Sequence, residues 1–467
     1  MNNRFLYPAL LGGAFLSSGC TTPNTTTVLP NIVLIFTDDQ GFCDIGCYGA
    51  EGISTPNLDS LANSGIRFTD FHVASSVSSP SRASLLTGCY PKRVGINGVL
   101  FPERSWGKSP NRGLNPSEET LAELLRERGY ATAMAGKWHL GHRDEFLPRK
   151  QGFDHYLGLP YSNDMNMDKL PLIRDDSVAE ICPDQSTLTG RYTRFSVDFI
   201  REKAQDGQPF FLYLAHSMPH IPIAPSRDFE GKSQRGKYGD VMEEIDWSVG
   251  EVVSELHRQG VYENTLIIFM SDNGPWLSYG NHAGDSGDLR EGKFSFYEGG
   301  FRVPCIMSYP NMIPHGVVSD QQVTSIDILP TLCAVTGARL PHEKIDGLNV
   351  EPVLHGEQME ALKHRPFFYH AEEEILGVRV GPWKYVDEYD AWWILDSVGN
   401  DGQNGTYRKE HLPKSLYNLK EDVSEEHNLI GEYPDKAAEL SAILESFRLS
   451  IEAEKRPCGM LLPKGEK

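Results

Sequence analysis

Basic residues are scarce in this chain: 44 lysines and arginines face 64 aspartates and glutamates, for a formal charge of −20. A balance this acidic excludes nucleic acid as a partner and gives no long-range attraction for an anionic ligand, so an anion would have to be held by a few local cations. Cysteine is scarce as well, with eight residues. One of them, Cys20, closes an apolar leader, and the odd seven that remain exclude a fully paired disulfide framework within one chain. Cys43 and Cys47 stand four apart, a spacing a metal could use, but no second Cys/His pair with zinc-like spacing accompanies them. That leaves buried apolar roles or one disulfide. No apolar run is long enough to cross a bilayer, and no internal repeat is present. What is there is length: 467 residues suffice for one large α/β domain and a smaller one with ample core.

Residues 1–19 carry one basic residue, Arg4, an apolar run from Phe5 to Leu16, and then Ser17-Ser18-Gly19 before Cys20. The stretch reads as a signal peptide. It resembles a bacterial lipoprotein signal with Cys20 as the lipidated first mature residue, although Ser17 stands where a large aliphatic residue is usual. Residues 20–29 form a flexible tether. The expectation is an exported protein, periplasmic or an outer-membrane lipoprotein of a Gram-negative bacterium, touching membrane only through a lipid at Cys20.

Asn31 to Phe36 is a continuous apolar run of the kind buried on both faces of a parallel sheet, and it ends in Thr37-Asp38-Asp39-Gln40-Gly41. Thr265 to Met270 repeats the pattern and ends in Ser271-Asp272-Asn273-Gly274. In doubly wound sheets ligands bind beyond the carboxyl ends of strands, so Asp38, Asp39, Asp272 and Asn273 can converge as hard oxygen donors for Ca²⁺ or Mg²⁺. The competing reading is two ordinary turns. A strand from Tyr130 to Ala135 delivers Gly136-Lys137-Trp138-His139-Leu140-Gly141; if it stays extended, alternation places Lys137 and His139 on one side. Another buried run, Pro209 to Ala215, leads to His216-Ser217-Met218-Pro219-His220-Ile221-Pro222.

The segment Ser78-Ser79-Pro80-Ser81-Arg82-Ala83-Ser84-Leu85-Leu86-Thr87-Gly88 reads as a short helix with Pro80 at its first position and Ser78 just ahead of it. Backbone N–H groups there favour an anion, and Arg82 adds a planar bidentate donor; the plainer reading is a serine-rich cap. With Tyr90-Pro91-x-Arg93-x-Gly95 behind it, the segment resembles the signature of type I sulfatases, whose first position is converted to formylglycine. Ser78 in place of the commoner cysteine resembles the serine-type bacterial members, which implies a radical-dependent maturase as partner.

The resemblance implies an α/β fold: an alkaline-phosphatase-like catalytic domain over residues 30–365, with a large, mostly parallel mixed sheet flanked by helices, and a smaller C-terminal α+β domain over 366–467 with a short antiparallel sheet and a closing helix near Pro434 to Glu452. It implies one Ca²⁺ held by Asp38, Asp39, Asp272 and Asn273. Lys137, His139, His220 and Lys293 match the family's catalytic positions beside Ser78 and Arg82, and Ser162 resembles a substrate-contacting serine. His216 reads as structural. Phe294-Ser295-Phe296 departs from the small residues usual after the second lysine. The loop Pro275 to Asp285 offers Trp276, Tyr279 and His282 to a sugar, or else packs its rings as core. Ser397 to Thr406 reads as a mobile loop. The function implied is hydrolysis of a sulfate ester on a sulfated saccharide of galactose or N-acetylgalactosamine type. A phosphate or phosphonate monoester hydrolase of the same superfamily, or a non-catalytic binder of sulfated glycans, are the rivals.

Overall fold

The computed structural model describes residue 1 and residues 28–105, 109–371 and 373–461. The expected leader, the lipidation site Cys20 and the tether up to Thr27 lie outside the described residues. Among the described residues no helix is long and apolar enough to cross a membrane.

The main sheet has ten strands, β1 (Asn31–Thr37), β2 (Ile66–Phe68), β3 (Ala131–Gly136), β4 (His155–Gly158), β5 (Pro171–Arg174), β6 (Ser177–Ile181), β7 (Phe210–Ala215), β8 (Thr265–Ser271), β9 (Cys305–Ser308) and β10 (Val317–Ser319). Their spatial order is β10-β2-β9-β8-β1-β7-β3-β4-β5-β6. The five central strands, β8 to β4, run parallel. Both faces of this block are covered, which is why its strands read as unbroken apolar runs. Ile32, Leu34 and Phe36 enter a core with Ala83, Leu85 and Leu86, while Val33 and Ile35 enter a second core with Ile200, Met242, Ile245 and Val249. The helices that supply those layers include α1 (Ser78–Thr87) on one side and α2 (Leu188–Asp206) and α3 (Gly236–Arg258) on the other.

The chain then makes the short α4 (Glu298–Phe301) and, farther on, an antiparallel sheet of β11 (Pro366–Ala371), β12 (Glu374–Val380), β13 (Trp383–Val386) and, after a separate hairpin of β14 (Tyr389–Ser397) and β15 (Thr406–Leu412), β16 (Ser415–Asn418). Helix α5 (Pro434–Glu454) packs on it through Leu440, Leu444 and Ile451. Buried ion pairs tie this sheet to the catalytic one: Arg379 donates twice to Asp70, at 2.8 and 2.7 Å, and Lys384 Nζ reaches Glu298 Oε1 at 3.1 Å and the Phe296 carbonyl at 2.8 Å. Asp70, His72 and Glu298 do converge, but Arg379 already pairs with Asp70 and Lys384 with Glu298. The seven cysteines among the described residues are all free, so the disulfide alternative for Cys43 and Cys47 is not realised.

The Ser397 to Thr406 connection is latched, contrary to the mobile loop its composition suggests. Gly399 and Gly405 both donate to the Ser278 carbonyl at 2.8 Å, Ser278 Oγ donates to Asn404 Oδ1 at 2.6 Å, and Asn281 and Asp401 exchange two bonds.

Candidate active site

Aligned strand register builds the site. Thr37 lies opposite Ser271, Phe36 opposite Ala215, and Gly136 opposite Ala215, so the residues just past β1, β8, β7 and β3 emerge at one level. Those residues are Asp38 and Asp39, Asp272 and Asn273, the His216 to His220 segment, and Lys137. Helix α1 points its N-terminus at the same place. Ser78 is its first residue, with Val77 as the uncapped position before it, so Ser78 lies inside the helix and Pro80 is third; the sequence reading placed both two positions early.

Ser78 Oγ donates to Asp38 Oδ1 at 3.1 Å and lies 3.4 Å from Asn273 Oδ1, and Lys137 Nζ reaches Ser78 Oγ at 3.3 Å, Asp38 Oδ2 at 2.6 Å and Ser162 Oγ at 3.2 Å. Lys293 Nζ donates to Asp39 Oδ2 at 2.7 Å, and Asn273 Nδ2 to Asp39 Oδ1 at 2.7 Å. Three buried carboxylates, Asp38, Asp39 and Asp272, thus face three buried cations, Arg82, Lys137 and Lys293. Burial alone would raise the Asp38 carboxyl, but Lys137, His220 and Arg82 outweigh it and hold the group below its usual range. Burial, with Arg82 and Lys293, pushes Lys137 down against the pull of Asp38, whereas Asp39 and Asp38 overcome burial and raise Lys293.

Arg82 sits elsewhere than expected of an anion donor. Its Nε and Nη2 go to Asp272 Oδ2 at 3.0 and 2.8 Å, and its Nη1 goes to the Lys137 carbonyl at 2.8 Å. The same pair occupies Asp272, whose Oδ1 accepts from the Asp39 N–H at 3.2 Å. The tight convergence of metal-binding groups is accordingly Asp38, Asp39 and His220, with the Asn273 and Ser78 oxygens beside it. This oxygen-rich set fits a hard divalent cation, and three cations are already in place to balance the carboxylates.

The two histidines have fixed tautomers. His139 Nε2 lies 2.9 Å from the Leu100 carbonyl, which can only accept, so Nε2 carries the proton and Nδ1, buried and without a partner among the described residues, is a free base. Burial, together with Lys137 and Arg82, holds this ring well below the ordinary histidine range. His220 donates from Nδ1 to the Ile221 carbonyl at 2.6 Å, which leaves Nε2 facing Ser162 Oγ and Asp39 Oδ2, each at 3.5 Å. Strand alternation does not bring Lys137 and His139 together: β3 ends at Gly136, whose φ is +110° and where a Cβ would lie 1.7 Å from the Ala215 carbonyl oxygen, so only glycine fits, and His139 itself has φ 59°. Asp39, at φ 63°, is the second left-handed residue of the site. Backbone strain of this kind gathers at functional sites.

His216 is structural in position, bonded to Ser248 Oγ at 3.3 Å. His282 is not brought to the cluster. It lies against Gly402 at the tip of the β14–β15 hairpin, and its charged neighbours are Lys237 and Asp401. Trp276 does line the site, its ring 4.4 Å from Lys293 Nζ and 5.6 Å from His220. Sequence reasoning missed Asp164, two residues past Ser162. Burial raises its carboxyl, yet His220, Lys293 and Lys137 outweigh burial and hold it below the usual range. A cavity of about 300 Å³, lined by Glu103, His142 and Asn166 among others, also borders Pro160, whose carbonyl accepts from the His139 N–H.

Residues 30–338 match the family described as sulfatase, and residues 291–450 match the family described as N-sulphoglucosamine sulphohydrolase, C-terminal. Human arylsulfatase A is 38% identical, covering 90% of this chain and 87% of its own length. The N-acetylgalactosamine-6-sulfatase of Canis lupus familiaris is 38% identical over 76% of this chain and 71% of its own. The solved structure of Ps i-CgsB in complex with k-i-k-neocarrahexaose superposes with a TM-score of 0.74 at 30% identity, covering 90% and 92% of the two chains. With the strand-end carboxylates, the buried lysines and the helix-start serine converging as they do, the chain belongs to the sulfatase family and is a sulfuric ester hydrolase.

Proposed function

We propose that the protein removes sulfate from a saccharide of galactose or N-acetylgalactosamine type through a formylglycine made from Ser78 and with one bound Ca²⁺. The observation that carries this is the placement of Ser78 Oγ between Asp38, Asn273 and Lys137, at the start of α1. When matured and hydrated, residue 78 supplies two geminal hydroxyls: one, giving its proton to the neighbouring carboxylates, attacks sulfur as the bond from sulfur to the sugar oxygen breaks, and the other, losing its proton, restores the aldehyde and expels sulfate. Asp38, Asp39 and Asn273, with Asp272 if Arg82 yields it, would hold the ion, which supplies Lewis-acid stabilisation of the sulfuryl oxygens.

The chain's own groups do the rest. Lys137 and Lys293 hold the oxygens on which charge builds, in a buried setting where such charges act strongly. Arg82 acts through Asp272, keeping its charge and position. His220, pinned at Nδ1, acts as the doubly protonated imidazolium, so that Nε2 carries the proton given to the leaving sugar oxygen, and Ser162 lies within reach of the same group. His139, with Nδ1 free and unprotonated, takes the proton when sulfate departs. The sugar class is supported by the N-acetylgalactosamine-6-sulfatase relative and by the neocarrahexaose bound to the solved one. Export with a lipid at Cys20, and maturation by a radical enzyme acting on serine, complete the proposal; both are supported by the sequence pattern alone.

The test is a mass spectrum of the peptide containing residue 78 from the native host, where loss of two hydrogens is expected. Unmodified serine in fully active protein refutes the mechanism. Parallel assays on sulfate and phosphate esters of one sugar should show turnover of the sulfate ester in large excess.

A further inference from the structure

A chain of ring contacts links the catalytic centre to the C-terminal hairpin. Trp276 stands 5.6 Å from His220, Phe294 5.3 Å from Trp276, and Tyr407 6.2 Å from Phe294. Tyr407 belongs to β15 and pairs with Leu395 of β14; two residues along, Lys409 pairs with Trp393. Cross-strand partners and residues two apart share a face, so Trp393 and Lys409 continue the face of Tyr407 about 7 Å farther out. The intervening residue, Ile394, is buried at 7% exposure in the C-terminal core, whereas Trp393 keeps 40% of its surface open. Lys409 Nζ lies 4.8 Å from the Trp393 ring and, among the described residues, has no carboxylate partner, in contrast to Arg408, which Asp396 and Glu410 engage. The latch between Ser278, Asn281 and the hairpin tip fixes this face relative to Trp276.

We propose that Trp393 and Lys409 form a distal saccharide subsite, which takes a sugar farther along the chain from the one whose sulfate is removed. The inference rests on the reading of the centre as a carbohydrate sulfatase. The apolar face of a pyranose would lie on the open side of the Trp393 indole, and a carboxylate or second sulfate on that sugar would meet Lys409. Phe294 serves this arrangement: as a bulky ring where Lys293's loop turns, it bridges Trp276 to the hairpin.

The experiment compares kcat/KM on a sulfated galactosamine-containing tetrasaccharide with that on 4-nitrophenyl sulfate. Trp393→Ala is expected to lower the ratio of the two about tenfold, through KM, as follows from uncovering one ring face, and Trp393→Phe to restore most of it. Lys409→Ala is expected to lower the ratio about threefold, with the loss disappearing at high salt. Equal losses on both substrates, or no loss on either, overturn the subsite. If matured wild-type protein turns over neither sulfate ester, the carbohydrate sulfatase reading is what fails. Titration of the Ser78→Ala protein with the same tetrasaccharide, with and without Trp393→Ala, still decides the subsite by affinity, since equal affinities refute it.

Discussion

Replacing Asp272 by alanine is expected to destabilise the fold by about 3 to 5 kcal/mol, the range for removing one partner of a buried ion pair. Arg82 has no exposed surface. Two of its N–H groups depend on Asp272 Oδ2, at 3.0 and 2.8 Å, a third is held by the Lys137 carbonyl, and the Phe36 ring lies 5.2 Å from its guanidinium carbon. After the substitution the closest remaining carboxylate oxygen is Asp38 Oδ1 at 3.7 Å, beyond hydrogen-bond length, and Asp38 already serves Lys137. A desolvated charge is left with one neutral hydrogen-bond acceptor and a shared carboxylate beyond hydrogen-bond length. Adding Arg82→Met removes that charge while filling its volume, so the double variant is expected to recover at least about 2 kcal/mol. Urea unfolding followed by intrinsic fluorescence, with EDTA throughout so that metal loss contributes equally, measures both. A cost under about 1 kcal/mol for Asp272→Ala, the worth of an exposed pair, would refute the reasoning, as would a double variant no more stable than the single.

Stability should also fall with acid. Burial holds His216 and His370 down to about 3 each, while the unfolded chain protonates them near 6.5, so below that pH the unfolded state binds more protons and each ring costs about 1.4 kcal/mol per pH unit. Unfolding at pH 7, 6 and 5 reads the slope, and His370→Phe should remove one proton's share; an unchanged slope sinks the assignment. Exhaustive chelation is expected to abolish turnover and Ca²⁺ to restore it, because most of the donors that converge are hard oxygens; full activity in metal-free protein would contradict the metal set. Ser162→Ala removes a hydroxyl 3.2 Å from Lys137 Nζ and 3.5 Å from His220 Nε2. It should lower kcat/KM about ten- to a hundredfold, a hydrogen bond with a charged partner being worth about 1.5 to 3 kcal/mol, and rates within twofold of wild type would remove Ser162 from the site.

The parts of this architecture that could be read from the chain are those governed by local pattern. A strand covered on both faces must be apolar throughout, so β1, β7 and β8 announced themselves, and with them the polar residues at their carboxyl ends. What could not be read is which distant group claims a side chain. Arg82 sits one turn into its helix, as spacing requires, but its donors are taken by Asp272, 190 residues away, and no local signal reports that. Lys137 and His139 are legible through the match of Gly136-Lys137-Trp138-His139 to the family motif, whereas strand alternation does not explain their proximity, since a left-handed turn at Gly136 and His139 replaces it. The glycine- and asparagine-rich stretch at 397–406 has the composition of a mobile loop; its amides are nevertheless spent on the Ser278 carbonyl.

The same limit explains Phe294. From the sequence it is an anomaly, a large ring where the loop bearing Lys293 would be expected to carry small residues. In the fold its φ of 72° turns the backbone, and its ring fills the gap between Trp276 and Tyr407. A smaller side chain there would leave the hairpin face separated from Trp276 by a void, and voids of that kind cost contact energy on both linings. Phe294 and the hairpin are therefore one adaptation seen at two places in the chain, and Phe294→Gly should weaken binding of the tetrasaccharide more than that of 4-nitrophenyl sulfate.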